Sequence, residues 1–237
     1  MYGLQGLIRK NIVNTQTQFE RLGYISSNFS NYNTSGYKSV RFEQMLDENG
    51  YLDGAVRTDH SNGSLRRTEN NLDVAIDGIG FIPVTSPDGD VQYTRDGSFK
   101  VDTEGYLITN DGYLVGDGIK LPANHEHLRI NEKGEIYVYD IANPEQEMLG
   151  RISLVSFANP EGLKDVGYNK YVATEDSGEP ILLKEHSNFR QGYIESSNTN
   201  VFAGVSDMLR LNASMIASFA LMKVVNQMYE KSVNLRS

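Results

Sequence analysis

The apolar positions at the two ends of the chain repeat with the period of a helix. Between residues 4 and about 29, and again from residue 201 to 235, they recur at alternating steps of four and three. The N-terminal stripe consists of Ile8, Ile12, Thr15, Phe19 and Leu22. The C-terminal stripe consists of Val205, Met208, Asn212, Met215, Phe219, Met222, Asn226, Tyr229 and Val233. We therefore predict two long helices with matching heptads, and the simplest partner for the last helix is the first.

Two asparagines interrupt the C-terminal stripe where the pattern asks for hydrocarbon. Asn212 and Asn226 lie two heptads apart with Phe219 between them. A buried polar pair weakens a coiled coil but penalises wrong registers, so these residues are candidates for register control, against the first helix or against another copy. The alternative is that they line a water-filled lumen. The sequence leaves both open.

Between the helices the period changes to two, with glycine-containing turns between short apolar segments. The strand candidates are residues 72–76, 80–84, 91–94, 98–101, 106–109, 113–116, 127–130, 135–139, 151–157, 170–174 and 189–194. We expect a β-meander from about 91 to 116, within an all-β domain of the sandwich or irregular-barrel type.

The predicted fold class is mainly β with long N- and C-terminal α-helices: the terminal helices pair as a coiled coil and the central domain is all-β. The expected divisions are an N-terminal helix with an Asn/Gly-rich cap (1–37), an extended connector with at most one short strand (38–69), the all-β domain (70–195) and a C-terminal helix (196–237). The last helix also carries apolar residues off its stripe, which favours burial against other copies of the chain.

Composition removes several classes of function. The 237 residues carry a net charge of −9, which argues against a nucleic-acid surface, and there is no cysteine for disulfides or thiolate chemistry. No stretch approaches ~18 uninterrupted apolar residues, and the first residues lack the pattern of a secretory signal. We expect neither Sec export nor a membrane span.

Candidate catalytic and metal-binding residues have simpler interpretations. Six aspartates lie in or beside glycine-containing turns, where Asp is favoured for backbone reasons; they are Asp88, Asp90, Asp96, Asp102, Asp111 and Asp117. His125 and His127 could share a strand face, but no third ligand is suggested nearby, so loop histidines are expected. We predict no catalytic residue, no cofactor and no metal.

One alternative stays open, a carbohydrate-binding or enzymatic β-domain that uses its helices only to dimerise. Tyr93, Tyr106 and Tyr113 could supply its stacking platform. Against it, tyrosine is common near strand ends.

Four sequence blocks carry a resemblance that spans nearly the whole chain. They are "NTSGYK" at 33–38, "LDVAIDGIGFIPV" at 72–84, "YTRDGSFKVDTEGYLITNDGYLV" at 93–115 and "QGYIESSNTNV" at 191–201. In this order they resemble the flagellar rod and hook protein family. The motif residues are Asn28, Asn31, Asn33, Thr34, Gly36, Tyr37, Lys38, Arg95, Asp96, Gly97, Phe99, Ser197 and Asn198.

The resemblance implies a non-enzymatic axial protein of the bacterial flagellum, located in the basal-body rod. Its partners would be copies of itself, other rod and hook proteins, and the flagellar type III export apparatus, which works without a Sec signal. The terminal helices would form an inner tube that serves as drive shaft and export channel. The short segment between Lys38 and Leu72 favours the proximal rod over the distal rod, with the hook as a further alternative. Arg95 and Asp96 are expected to form a surface pair that braces a hairpin.

Overall fold

The computed structural model places the chain in two compact units. It describes residues 4–46, 48, 52–122, 127–140, 143–183 and 188–234. The described residues of the first unit lie within 1–31, 40–58 and 199–237, and those of the second within 32–39 and 59–198.

The first unit contains the two predicted helices and a hairpin that was not predicted. Helix α1 spans Leu4–Ser30 and helix α2 spans Val201–Asn234. Strands β1 (Val40–Leu46) and β2 (Leu52–Thr58) pair antiparallel, with Val40 opposite Thr58 and Leu46 opposite Leu52. The prediction of an extended connector with at most one strand is therefore wrong for this segment.

Several side-chain contacts attach the hairpin to α1. The Asn28 side chain donates to the carbonyl oxygen of Val40 at 2.8 Å and accepts from its N–H at 2.9 Å. Tyr24 stacks on Phe42 with ring centroids 5.6 Å apart. Since a lone two-stranded hairpin is marginal in water, these contacts with α1 stabilise it. The signal was present in the sequence and was overlooked, since residues 40–43 alternate between apolar and charged side chains with the period of a half-buried strand.

The second unit consists of short strands connected by turns. They are β3 (Leu65–Arg67), β4 (Val74–Ile76), β5 (Ile82–Thr85), β6 (Val91–Thr94), β7 (Phe99–Val101), β8 (Leu107–Thr109), β9 (Leu114–Val115), β10 (Leu128–Ile130), β11 (Glu135–Asp140), β12 (Asn143–Arg151), β13 (Val155–Ser156), β14 (Lys164–Gly167), β15 (Lys170–Val172), β16 (Ile181–Leu182), β17 (Phe189–Gln191) and β18 (Tyr193–Glu195). A 3₁₀ turn, Pro160–Gly162, precedes β14. The central part of the chain is thus β, as predicted, although the expected strands at 151–157 and 189–194 are each interrupted.

The strand order corrects part of the predicted meander. The largest sheet runs β14-β15-β6-β5-β9-β8-β7, so β7, β8 and β9 form a meander but β6 pairs with β5 and β15. The residues between β6 and β7 are therefore no hairpin turn, in spite of their Asp-Gly sequence. Smaller sheets are β10-β11-β12, β13-β16, β17-β4 and β18-β3, and the pairings among the described strands are antiparallel.

Two apolar clusters form the core of the second unit. The larger contains Val74, Ile76, Ile82, Val84, Phe99, Leu107, Val115, Ile119, Leu121, Leu128, Ile130, Ile136, Ile152, Leu154 and Phe189. The smaller contains Phe81, Tyr93, Val155, Phe157, Leu163 and Tyr171. Burial of these side chains is the main stabilising contribution to the unit.

Candidate functional site

The two helices lie antiparallel and meet along a seam of mixed polar and apolar residues. The Gln18 side chain donates to the hydroxyl oxygen of Ser214 at 2.9 Å, and Asn11 donates to the carbonyl oxygen of Ser218 at 3.3 Å. Leu211, which is 3% exposed, is a buried apolar residue of this seam. Polar residues in the seam of a helix pair provide specificity, but they contribute less apolar burial than hydrocarbon side chains would.

The seam uses a different column of α2 from the predicted one. Its buried or half-buried members are Gly204, Leu211, Ser218 and Val225, each one position before Val205, Asn212, Phe219 and Asn226, which are exposed. Small residues explain the shift, because a Cβ at Gly204 would lie 3.0 Å from ring carbons of Phe29 and a bulkier residue would separate the helices. Asn212 and Asn226 therefore do not lie in the seam with α1, which leaves another copy of the chain or a water-filled lumen as the predicted surroundings of their side chains.

Of the remaining residues in the predicted stripes, some are half-buried and others are exposed. Ile8, Leu22, Met215 and Met222 are half-buried. Ile12, Phe19, Met208 and Tyr229 are exposed, with Ile12 and Phe19 at 52%. The heptad stripes were recognised, but the side chains they contain are mostly directed away from the partner helix.

The outer face of α2 is an extensive exposed apolar surface. Phe202, Leu209 and Ile216, spaced by seven residues, are 88%, 66% and 63% exposed. The segment Val201–Lys231 contains an 18-residue window with a mean hydropathy of 1.4, of which 11% is buried, so by length and composition alone this helix is apolar enough to cross a membrane. The expectation of no membrane span was based on uninterrupted apolar stretches, and Asp207, Arg210 and Lys223 interrupt this one. Exposed apolar surface of this extent marks a site that a partner protein or a lipid covers.

A second site lies inside the β unit, where three of the four sequence blocks meet at one carboxylate. Glu195 is 1% exposed. Its Oε1 accepts from Lys38 Nζ and from the Gly63 N–H, both at 2.7 Å. Its Oε2 accepts from Arg95 Nε at 2.7 Å. We call Lys38, Arg95 and Glu195 the buried charge cluster.

Arg95 also connects this cluster to a glycine loop. Its guanidinium donates to the carbonyl oxygens of Gly80 at 2.8 Å and Gly78 at 2.9 Å. With 2% exposure it is no surface residue, and its carboxylate partner is Glu195 rather than Asp96, so the predicted Arg95–Asp96 surface pair is wrong. Asp96 instead accepts from the Ser98 N–H at 3.0 Å, and burial raises the pKa of its carboxyl.

Two motif glycines are required by close backbone approaches. Gly36 has φ +68°, donates its N–H to the Glu195 carbonyl oxygen at 2.8 Å, and would place a Cβ 2.6 Å from the carbonyl carbon of Arg95. A Cβ at Gly97 would lie 1.7 Å from the carbonyl oxygen of Val74. Neither position accommodates a side chain without moving the backbone.

Asn198 joins the segments on either side of the cluster. It accepts from the Ser39 N–H at 2.7 Å and donates to the carbonyl oxygens of Asp59 at 2.7 Å and Ser61 at 3.1 Å.

The remaining motif residues differ in their contacts and their exposure. Tyr37 donates its N–H to the Thr34 carbonyl at 3.3 Å, and the Asn31 side chain donates to the Ser27 carbonyl at 2.9 Å. Asn33 is exposed, Ser197 is half-buried and Phe99 lies in the larger core cluster.

His60 borders the cluster and was not singled out in the sequence. Its ring lies edge-on to Phe81 at 5.5 Å and to Tyr171 at 5.4 Å between centroids, and it donates to the backbone carbonyl of Pro160. Its other nitrogen, Nδ1, is buried without a hydrogen-bond partner. Burial, followed by the charges of Lys38 and Arg95, lowers the pKa of His60 to about 4. Glu195 was likewise missed, although it stands inside the block at 191–201 directly after the apolar residue Ile194.

The structure also bears on the alternative sites considered in the sequence analysis, the tyrosine stacking platform and the histidine pair. Tyr93 is 7% exposed and packs edge-on against Phe157 at 4.9 Å, so it belongs to the core and offers no stacking platform with Tyr106 and Tyr113. Within the described residues no group of three or more His, Cys, Asp or Glu side chains could hold a metal ion. His127 is exposed, and His125 lies outside the described residues.

A helix pair with an apolar outer face, joined to a β unit in which sequence motifs are used for internal bonding, defines a structural assembly subunit. Comparison with known proteins agrees with this class. Residues 75–138 match the family described as the flagellar hook protein FlgE/F/G D1 domain. The chain is 32% identical to the flagellar basal-body rod protein FlgG of Buchnera aphidicola subsp. Acyrthosiphon pisum, over 89% of this chain and 92% of that protein.

Relatives from other bacteria show the same similarity. FlgG of Caulobacter vibrioides is 29% identical over 90% of this chain and 92% of its own length. The flagellar basal-body rod protein FlgF of Mesorhizobium japonicum is 28% identical over 86% of each chain. The chain belongs to the flagellar basal-body rod protein family, whose place is the basal body of the bacterial flagellum.

Proposed function

We propose that this rod protein assembles helically through its terminal helices, which pair as a coiled coil and form part of the drive shaft and export channel. The observation that carries the proposal is the outer face of α2, where Phe202, Leu209 and Ile216 are 63% to 88% exposed. Burial of an apolar side chain contributes about 1.5–3 kcal/mol, so a row of such residues gives a strong tendency to associate. The partners are further copies of this chain and other axial proteins of the flagellum.

The exposed faces of both helices support an assembly with several neighbours. Ile12 and Phe19 on α1, each 52% exposed, provide a second apolar column separate from that of α2. A helical array needs two different complementary surfaces on each subunit, because its contacts are head-to-tail. The two helices supply such a pair of surfaces.

The full chain allows a direct test with two neighbouring positions of α2. Ile216→Asp places a charge on the exposed apolar column, and Ala217→Asp places the same charge one residue away at another exposed position. We expect light scattering to show concentration-dependent association of the wild-type chain and of the Ala217 variant, and a monomer for the Ile216 variant. Equal association of all three proteins would contradict assembly through this face.

We further propose the proximal rod as the position and the flagellar type III apparatus as the export route. The position rests on the short segment between Lys38 and Leu72 and the route on family membership. An epitope inserted between Asp88 and Gly89, which are exposed in the β5–β6 turn, can be labelled in isolated basal bodies. Label at the inner-membrane end supports the proximal rod, and label next to the hook contradicts it. Export of the tagged chain should stop in cells that lack the type III apparatus.

A further inference from the structure

The buried charge cluster fixes a short segment that interrupts the first unit. Residues 32–39 belong to the second unit, which is the β unit. Residues 1–31 before them and 40–58 after them belong to the first unit, which contains the two helices. Gly36 donates its N–H to the carbonyl of Glu195 at 2.8 Å, and Lys38 donates to its carboxylate at 2.7 Å. We call residues 32–39 the lead segment. Glu195 is the partner of Gly36 and Lys38, whereas Ser35 and Ser39 are held by hydrogen bonds to other residues of the unit.

His60 stands beside this attachment in its neutral form. The ring is enclosed by Phe81 and Tyr171, and its buried Nδ1 has no partner that would accept a proton from it. A proton added at Nδ1 would create an imidazolium with an unpaired N–H in an apolar pocket, which is unfavourable.

The charges around His60 oppose that proton further. Lys38 and Arg95 are the cations acting on the ring, and Asp59 is the anion that partly offsets them. The carboxylate of Glu195 already accepts from Lys38, Arg95 and the Gly63 N–H. A third cation can therefore be accommodated only if the cluster loosens and admits water.

We propose that His60 makes the attachment of the lead segment sensitive to acid: the neutral ring packs beside the closed cluster, and its protonation releases residues 32–39 from the β unit while the remaining β sheets stay folded. The inference concerns regulation within one subunit and stands apart from the proposed assembly. The event that causes the release is the binding of a proton to His60.

The size of the effect follows from the two protonation equilibria. With an ordinary pKa of 6.5 in the open state and about 4 in the closed state, the opening equilibrium should rise by about 20-fold between pH 7 and pH 5. The direction is fixed because the open state binds the proton more tightly, so that acid favours opening.

Hydrogen–deuterium exchange of the full-length chain, corrected for the intrinsic pH dependence, measures this opening. We expect exchange of a peptide covering residues 32–39 to accelerate by about 20-fold from pH 7 to pH 5, while a peptide covering residues 107–115 in β8 and β9 changes far less. His60→Phe keeps an aromatic ring against Phe81 and Tyr171 and should reduce the acceleration to less than about twofold. His127→Phe, at an exposed histidine, should behave as the wild type.

Two results would overturn the proposal. One is equal acceleration of the two peptides in the wild-type chain, which would show global unfolding. The other is an unchanged pH dependence in His60→Phe. Should that variant fail to fold, an NMR titration of the wild-type chain decides instead: the His60 ring and the Gly36 to Lys38 amides should shift with one common midpoint near pH 4, and a His60 midpoint near 6.5 refutes the switch.

Discussion

Lys38 and Glu195 are 157 positions apart in the sequence, and they form an ion pair of 2.7 Å in which neither side chain is exposed. Burying two charges is costly unless each has further partners. Glu195 has them in Arg95 and the Gly63 N–H, and Lys38 has a second acceptor in the Ser61 carbonyl at 2.6 Å. Burial still lowers the pKa of Lys38. The pair therefore stabilises the position of the segments around Lys38 and Glu195 only while both charged side chains are present.

Removing half of this pair should be strongly destabilising. Glu195→Gln leaves Lys38 and Arg95 buried without a counter-charge, and we expect the free energy of unfolding to fall by about 3–5 kcal/mol in urea denaturation. Asp77→Asn, which breaks the exposed pair with Arg190, is the control and should change stability by less than about 1 kcal/mol. Similar losses in the two variants would contradict the assigned importance of burial.

The glycine at position 36 should be irreplaceable for a reason other than its dihedral angle. Gly36→Ala meets the Arg95 backbone at 2.6 Å, whereas Gly112→Ala, also at positive φ, meets nothing within 4 Å. We expect Gly112→Ala to cost about 1–2 kcal/mol, the usual penalty of a left-handed residue, and Gly36→Ala to cost clearly more. Thermal unfolding of the two variants checks this, and an equal shift of the melting temperature would show that the backbone at Arg95 yields.

Structural features with a local sequence period could be predicted from the sequence, whereas features that depend on contacts between distant residues were missed. Both helices, the strands around glycine turns and the motif blocks were found because their signals lie within a few residues. The column of α2 that faces α1 was assigned wrongly, since Gly204 and Ser218 look unfavourable for a seam until the approach of Phe29 and the hydrogen bond from Asn11 are known.

The buried charge cluster shows the same limit inside the β unit. Arg95 was interpreted as a surface residue because charged residues beside Asp-Gly usually are. Its burial results from Glu195, 100 positions later, and from the carbonyls of a glycine loop. No local pattern around "YTRDG" reports those partners.

Substitutions at two leucines of α2 should have different effects, one on the stability of the subunit and the other on its association. Leu211→Ala removes a buried side chain and should lower the stability of the helix pair by about 2–5 kcal/mol, measured by circular dichroism at concentrations where the chain is monomeric. Leu209→Ala, at a position that is 66% exposed, should leave that stability within about 0.5 kcal/mol and weaken association instead. Weakened helix pairing in the Leu209 variant would contradict the assigned faces.

The asparagines of α2 can act only where another molecule covers them, because both are exposed in the subunit. If Asn212 and Asn226 fix the register between copies, Asn212→Leu with Asn226→Leu should leave the monomer unchanged and yield polymers of mixed register, since leucine pairs as well in a slipped as in the correct position. Electron micrographs of polymers formed by the wild-type and double-variant chains distinguish the outcomes, with Ala217→Leu as the control for added apolar surface. Polymers of unchanged order would instead place the two asparagines on a water-filled lumen, where they have no part in register.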